Sequence, residues 1–124
     1  MVGIVLISHS NGLATEVAAL ARQIGGAHVP LAAAGGTEDG GLGTSPDLVT
    51  AAIKEVDRGD GVVLIPDLGS SVLTAKLLQT PDDVVIADVP FVEGAISAVV
   101  AAGGGASLDG VLAAAEEAWH VRKL

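Results

Sequence analysis

The stretch VGIVLISHSNGLATEVAALARQIGG (residues 2–26) decides the reading of the whole chain. Val2 to Ile7 is an unbroken run of apolar residues and glycine, the pattern of a strand buried on both faces. Ser8-His9-Ser10 follows at once. Leu13, Val17, Leu20, Ala21 and Ile24 then recur at helical spacing until Gly25-Gly26 stops the pattern. A buried strand running directly into an amphipathic helix is the first half of a βαβ unit.

The alternation continues downstream. Residues 27–34 (AHVPLAAA) predict a second strand, and Pro30 assigns it to a sheet edge because proline cannot donate to a ladder. Residues 35–44 (GGTEDGGLGT) form a long glycine loop. Ser45-Pro46-Asp47 opens a helix, with a capping hydroxyl, a first-turn proline and an acid near the positive helix end; Leu48, Ala52 and Val56 mark one of its faces. Val62 to Ile65 predicts a third strand, ending at Pro66-Asp67-Leu68-Gly69-Ser70, with a helix to about Leu78. Val84 to Ile86 predicts a fourth strand, ending at Asp88 and Pro90. Residues 92–102 and 107–119 predict two more helices, the last lined by Val111, Leu112, Ala115 and Trp119. The order βαβαβαβαα implies one α/β domain over residues 1–124, with a central, mostly parallel sheet and helices on both faces.

Composition narrows the function classes. Half of the 124 residues are apolar, but Phe91 and Trp119 are the only aromatics, so the core must be aliphatic. Six basic against fifteen acidic residues leave a net charge of −9. That charge disfavours nucleic acid and anionic membranes as partners and suits a basic protein. No cysteine is present, so neither a disulfide frame nor a thiolate site exists. No basic leader precedes the first apolar run, which is too short to span a bilayer; a cytoplasmic setting fits.

In a parallel α/β sheet, ligands sit outside the carboxyl ends of the strands. The four strand ends carry Ser8-His9-Ser10, then Gly35-Gly36-Thr37, then Asp67, Gly69, Ser70 and Ser71, then Asp88 and Pro90. His9 precedes a helix, so free N–H groups near Ser10, Asn11 and Gly12 are placed to hold an anion beside it. Asp67 is the natural carboxylate to bind one ring nitrogen and aim the other outward, for a general base or a phosphoryl acceptor. Plainer readings stand beside these: His9 bonded to backbone, Asp67 capping a turn, and Glu38 and Asp39 on a solvated loop. The chain lacks G-x-S-x-G, and "GLGTSP" has Pro46 where a nucleotide fingerprint needs its last glycine. No His/Asp/Glu cluster has metal-ligand spacing, and His28 and His120 read as surface residues.

Four blocks taken together, GIVLISHSNGLATEVAALARQI, AAGGTEDGGLGTSPDLVTAAI, VLIPDLGSSVLTAKLL and DVPFVEGAISAVVAA, resemble the phosphotransferase subunits of dihydroxyacetone kinase, the DhaM family. The relevant domain of that family has the mannose-type EIIA fold of the sugar phosphotransferase system. The resemblance implies a three-layer sandwich and a homodimer. It implies that His9 takes a phosphoryl group from the histidine phosphocarrier protein HPr. His9 then passes the group to ADP on the kinase ADP-binding subunit, and the resulting ATP phosphorylates dihydroxyacetone held by a third subunit. Asp67 matches the carboxylate that orients the histidine. Gly36, Thr37, Gly43, Thr44, Ser45, Gly69 and Ser70 fall in the matched loops. No bound cofactor or metal is implied; the phosphoryl group is carried on His9. Two positions depart from the family pattern: Ser71, where alanine is common, and Lys76, where glutamate is common. Some members fuse carrier-like domains downstream, so a single domain implies separate donor proteins. A mannose-type sugar transporter component that serves a IIB subunit, and a non-catalytic binding module, are the alternatives.

Overall fold

In the computed structural model, which describes residues 1–124, strands and helices alternate. They are β1 (Gly3–Ser8), α1 (Asn11–Gly25), β2 (Leu31–Gly35), α2 (Pro46–Val56), β3 (Val62–Pro66), α3 (Gly69–Leu78), β4 (Val84–Ile86), α4 (Phe91–Gly103) and α5 (Leu108–Glu116), with a short 3-10 helix at Glu117–His120. The strands form one sheet in the order β2-β1-β3-β4, and every pair is parallel. Successive strand side chains point to opposite faces, so each strand feeds two cores. On one face Ile4, Leu6, Val63 and Ile65 pack with Val17, Ala18 and Ala21 of α1, Ala98 and Val99 of α4 and Val111 of α5. On the other, Val5, Ile7, Val62 and Leu64 pack with Val49, Ala52 and Val56 of α2 and Ala75 of α3. This is the expected three-layer α/β sandwich. Each fully buried aliphatic side chain contributes about 1.5–3 kcal/mol, so β1 and β3 anchor the fold.

Several expectations are corrected in detail. Residues 27–30 form a turn, and β2 starts at Leu31. β2 is an edge strand, but Pro30 lies just before it; its carbonyl takes the Ile4 N–H at 2.9 Å. The buried face of α1 is Ala14, Val17, Ala18 and Ala21, while Leu13, Leu20 and Ile24 are exposed. Both stripes are apolar, and the alanine stripe faces inward because small side chains let α1 approach the sheet and α4 closely. A Cβ on Gly25 would lie 2.5 Å from a Val99 methyl. The last α-helix ends at Glu116, and Trp119 is exposed on the 3-10 turn rather than lining the core, its indole donating to the Asp88 carbonyl at 2.7 Å.

The chain runs from β1 outward to β2, then crosses to β3 and outward to β4. The direction reverses between β1 and β3, and a crevice opens at the carboxyl ends of such a strand pair. His9 follows β1 and Asp67 follows β3.

Candidate functional site

The pairing of β1 with β3 sets Ile7 beside Pro66, and the Asp67 N–H donates to the Ile7 carbonyl at 2.9 Å. That bond carries the ladder one residue past the strand and brings the Asp67 carboxylate against the Ser8–His9 turn. Oδ1 accepts from His9 Nδ1 at 2.9 Å, from the Leu68 N–H at 2.7 Å and from the Ser71 hydroxyl at 2.7 Å. Oδ2 accepts from the Ser8 hydroxyl at 2.8 Å and from the His9 N–H at 3.1 Å. The Ser8 oxygen in turn accepts the Ser10 N–H at 3.0 Å. Burial works to raise the Asp67 pKa, but the hydrogen bonds from Ser71, Ser8 and His9 outweigh it and hold the carboxyl at about 2. Asp67 is therefore a carboxylate at neutral pH.

A carboxylate only accepts, so His9 Nδ1 carries the proton in this pair. Nε2 then holds the lone pair, and the Ser70 hydroxyl donates to it. The His9 side chain is 27% exposed and that of Asp67 only 6%. The orienting group is thus enclosed while the ring reaches the surface.

Two helix starts meet here. Ser10 caps α1, its hydroxyl accepting from Leu13 N at 3.2 Å, which leaves the Asn11 and Gly12 N–H groups of the first turn free of that cap. α3 begins at Gly69 with Leu68 at its N-cap and no side-chain cap. Both helix starts favour negative charge beside Nε2.

The glycine loop is tied to the end of β1. The Gly36 N–H donates to the Ser8 carbonyl at 3.0 Å and the Gly43 N–H to the His9 carbonyl at 3.0 Å. Gly36 has φ +75°, which a side chain would strain, and a Cβ on Gly35 would lie 2.4 Å from the Ser10 carbonyl oxygen. The loop hydroxyls are engaged locally. Thr37 donates to Asp39 and accepts Gly41 N at 3.0 Å. Thr44 bonds Thr74 of α3 at 2.9 Å. Ser45 caps α2 and donates to Glu38 at 3.1 Å.

Of the residues singled out from sequence, His9, Asp67 and Ser70 form one hydrogen-bonded chain, with Ser10 and Gly69 at the helix starts beside it. Gly36 and Gly43 hold the loop against it. Thr37, Thr44 and Ser45 shape that loop without bonding His9 or Asp67, and the Asn11 amide takes only a long 3.5 Å bond from Thr15. Asp88 stays out of the network; its carbonyl serves Trp119. Ser8 and Ser71 were visible only as hydroxyls at strand ends, yet both bind the carboxylate directly. The available signal was the four-residue offset of Ser71 from Asp67, one turn into α3.

The sequence and fold match a known family. The EIIA-man family, described as the PTS system fructose IIA component, matches residues 3–112. The DhaM phosphotransferase subunit of a PTS-dependent dihydroxyacetone kinase from Lactococcus lactis is 35% identical, over 88% of this chain and 89% of its own length. The DhaM phosphoryl donor subunit of Providencia stuartii is also 35% identical, over 99% of this chain. The chain spans 28% of the length of that longer relative. Among solved structures, a protein of unknown function superposes with a TM-score of 0.81 at 30% identity, covering 94% of this chain and 93% of the other. The EIIA component from Streptococcus agalactiae reaches a TM-score of 0.72 at 17% identity, over 97% and 93%, a likeness of fold. The chain belongs to the EIIA-man family and groups there with the DhaM subunits of dihydroxyacetone kinase.

Proposed function

We propose that the chain is a phosphoryl relay of a phosphoenolpyruvate-dependent dihydroxyacetone kinase system, with His9 Nε2 as the atom that carries the group. The supporting observation is the division of labour on one imidazole: Nδ1 is fixed by an enclosed carboxylate, and Nε2 faces the surface with only the Ser70 hydroxyl on it. In the first step Nε2 attacks the phosphorus of the phosphohistidine on HPr. The donor P–N bond breaks as the new P–N bond forms. The ring gains positive character, which Asp67 balances through Nδ1–H, and the Ser70 hydroxyl turns from Nε2 to a phosphoryl oxygen. In the second step the His9 P–N bond breaks, and a P–O bond forms to the terminal phosphate of ADP on the kinase ADP-binding subunit. Little covalent work falls to the protein, and rate comes from positioning and from donors aimed at the transferring oxygens.

Incubation with phosphoenolpyruvate, enzyme I and HPr tests this directly. Intact-protein mass should rise by one phosphoryl group, and His9→Ala should show no rise. Draining of the label by the kinase ADP-binding subunit with ADP supports this acceptor. Draining by a sugar-transporter IIB subunit instead would assign the alternative. A cytoplasmic homodimer accompanies this reading.

A further inference from the structure

The Asp67 carboxylate has one donor more than it needs. A carboxylate offers about four lone-pair sites. His9 Nδ1 and the Leu68 N–H meet Oδ1, and the Ser8 hydroxyl and the His9 N–H meet Oδ2, which fills them. The Ser71 hydroxyl is a further donor. It meets Oδ1 at 2.7 Å, the same oxygen that His9 Nδ1 reaches at 2.9 Å. Ser71 Oγ also lies 3.3 Å from Nδ1, so the hydroxyl sits beside the His9–Asp67 bond itself. Ser71 is fully buried, closed off from water. A buried hydroxyl has to be bonded, but alanine at this position would leave no polar group of the site without a partner.

Two donors on one oxygen compete for the same electron density. Ser71 therefore weakens the hold of Oδ1 on Nδ1–H. Of the hydrogen bonds that lower the Asp67 pKa against burial, that of Ser71 is the strongest. A carboxylate held low is a weak base and pulls less on a ring proton. The consequence falls on the phosphorylated ring. When Nε2 bonds phosphorus while Nδ1 keeps its proton, the ring carries positive charge. A charged N–H gains more from a carboxylate than a neutral one does. Weakening the Nδ1–H bond thus raises the energy of the phosphorylated ring more than that of the free ring.

We infer that Ser71 sets how firmly His9 holds the phosphoryl group: by sharing Oδ1 with Nδ1–H it loosens the carboxylate's hold on the charged ring and keeps the group ready to leave. This rests on the relay reading above and adds what sets the balance between accepting and releasing. Ser71 acts through Asp67 and is a positioning residue. The step it governs exchanges one P–N bond for another. The phosphoryl group leaves the donor imidazole, which recovers its lone pair, and joins Nε2, whose lone pair forms the new bond, while the Nδ1 proton stays in place. The equilibrium of that exchange reads the stability of phosphorylated His9 directly.

The test mixes purified phospho-HPr with the unaltered protein or with Ser71→Ala, in the absence of phosphoenolpyruvate and enzyme I. Intact mass gives the phosphorylated fraction of both proteins at equilibrium. Ser71→Ala should shift the equilibrium constant toward phosphorylated His9 by about threefold, within the worth of one hydrogen bond. The Nδ1 proton resonance of the phosphorylated variant should move downfield, and release to ADP on the kinase ADP-binding subunit should slow by a similar factor. Loss of a merely structural bond would lower the thermal midpoint without moving the equilibrium toward the phosphorylated form. An equilibrium constant that is unchanged or lower in Ser71→Ala overturns the tuning role and leaves the relay reading standing. If phospho-HPr phosphorylates neither protein, the relay reading falls and the tuning role falls with it.

Discussion

The Asp67 carboxylate holds His9 twice, taking ring Nδ1 at 2.9 Å on one oxygen and the main-chain N–H at 3.1 Å on the other. One carboxylate therefore ties the ring to the turn that carries it, and Nε2 is the nitrogen left for chemistry.

Asp67→Asn keeps the shape of the side chain but removes the charge that balances a ring gaining positive character. Phosphoryl transfer should slow by about 10–100-fold, the range seen when an orienting partner behind a histidine is lost at metal sites. Single-turnover labelling of His9 checks this, with circular dichroism confirming the fold. An unchanged rate would remove Asp67 from the mechanism.

Acid should cost the protein the contribution of the same carboxylate. Its folded pKa of about 2 lies below the ordinary aspartate value of 3.8, so its stabilisation is complete above about pH 4 and is lost as pH falls through 2. A shift of this size is worth about 2 kcal/mol. Denaturant midpoints of the unaltered protein and Asp67→Asn should differ at pH 7 and converge between pH 4 and pH 2.

Ser70 and Ser71 are neighbours with separate tasks. Ser70→Ala removes a donor that meets Nε2 and then the phosphoryl group, and should slow transfer about tenfold, from the ~1.5 kcal/mol of one hydrogen bond to a charged group. Ser71→Ala removes the 2.7 Å bond to Asp67 and a longer 3.3 Å contact with His9 Nδ1, and touches nothing at Nε2. It should raise the Asp67 pKa and lower stability by about 1 kcal/mol, with a smaller effect on rate. NMR titration of the carboxyl and transfer kinetics separate the two.

Gly35→Ala tests how tightly β2 is pressed against the start of α1. The added methyl would lie 2.4 Å from the Ser10 carbonyl oxygen, a backbone atom with no room to yield. Overpacking of this kind costs about 1–3 kcal/mol, to be read from the denaturant midpoint. Labelling of His9 should fall as well, because α1 starts two residues after it.

Much of this arrangement is legible in the residue pattern. Apolar runs at Val2–Ile7 and Val62–Ile65 mark the two central strands, and the cap at Ser45 marks the start of α2. His9 and Asp67 are readable as partners because both follow buried strands. Strand order is not written in local periodicity, so the reversal between β1 and β3 that places the two side by side emerges only from the fold. The inward face of α1 was ambiguous because alanine and leucine stripes run along the same helix. Trp119 defies its hydropathy by lying on an exposed turn and bonding Asp88. Ser71 reads only as one of several strand-end hydroxyls until the start of α3 aims it at Asp67.

The central claim is that His9 Nε2 carries the phosphoryl group. Ring-nitrogen NMR of the protein phosphorylated by phospho-HPr, with 15N-labelled histidine, tests it most directly. The account predicts phosphorus coupling at His9 Nε2 and a proton retained on Nδ1. Phosphorus on Nδ1, or on any other residue, would contradict it.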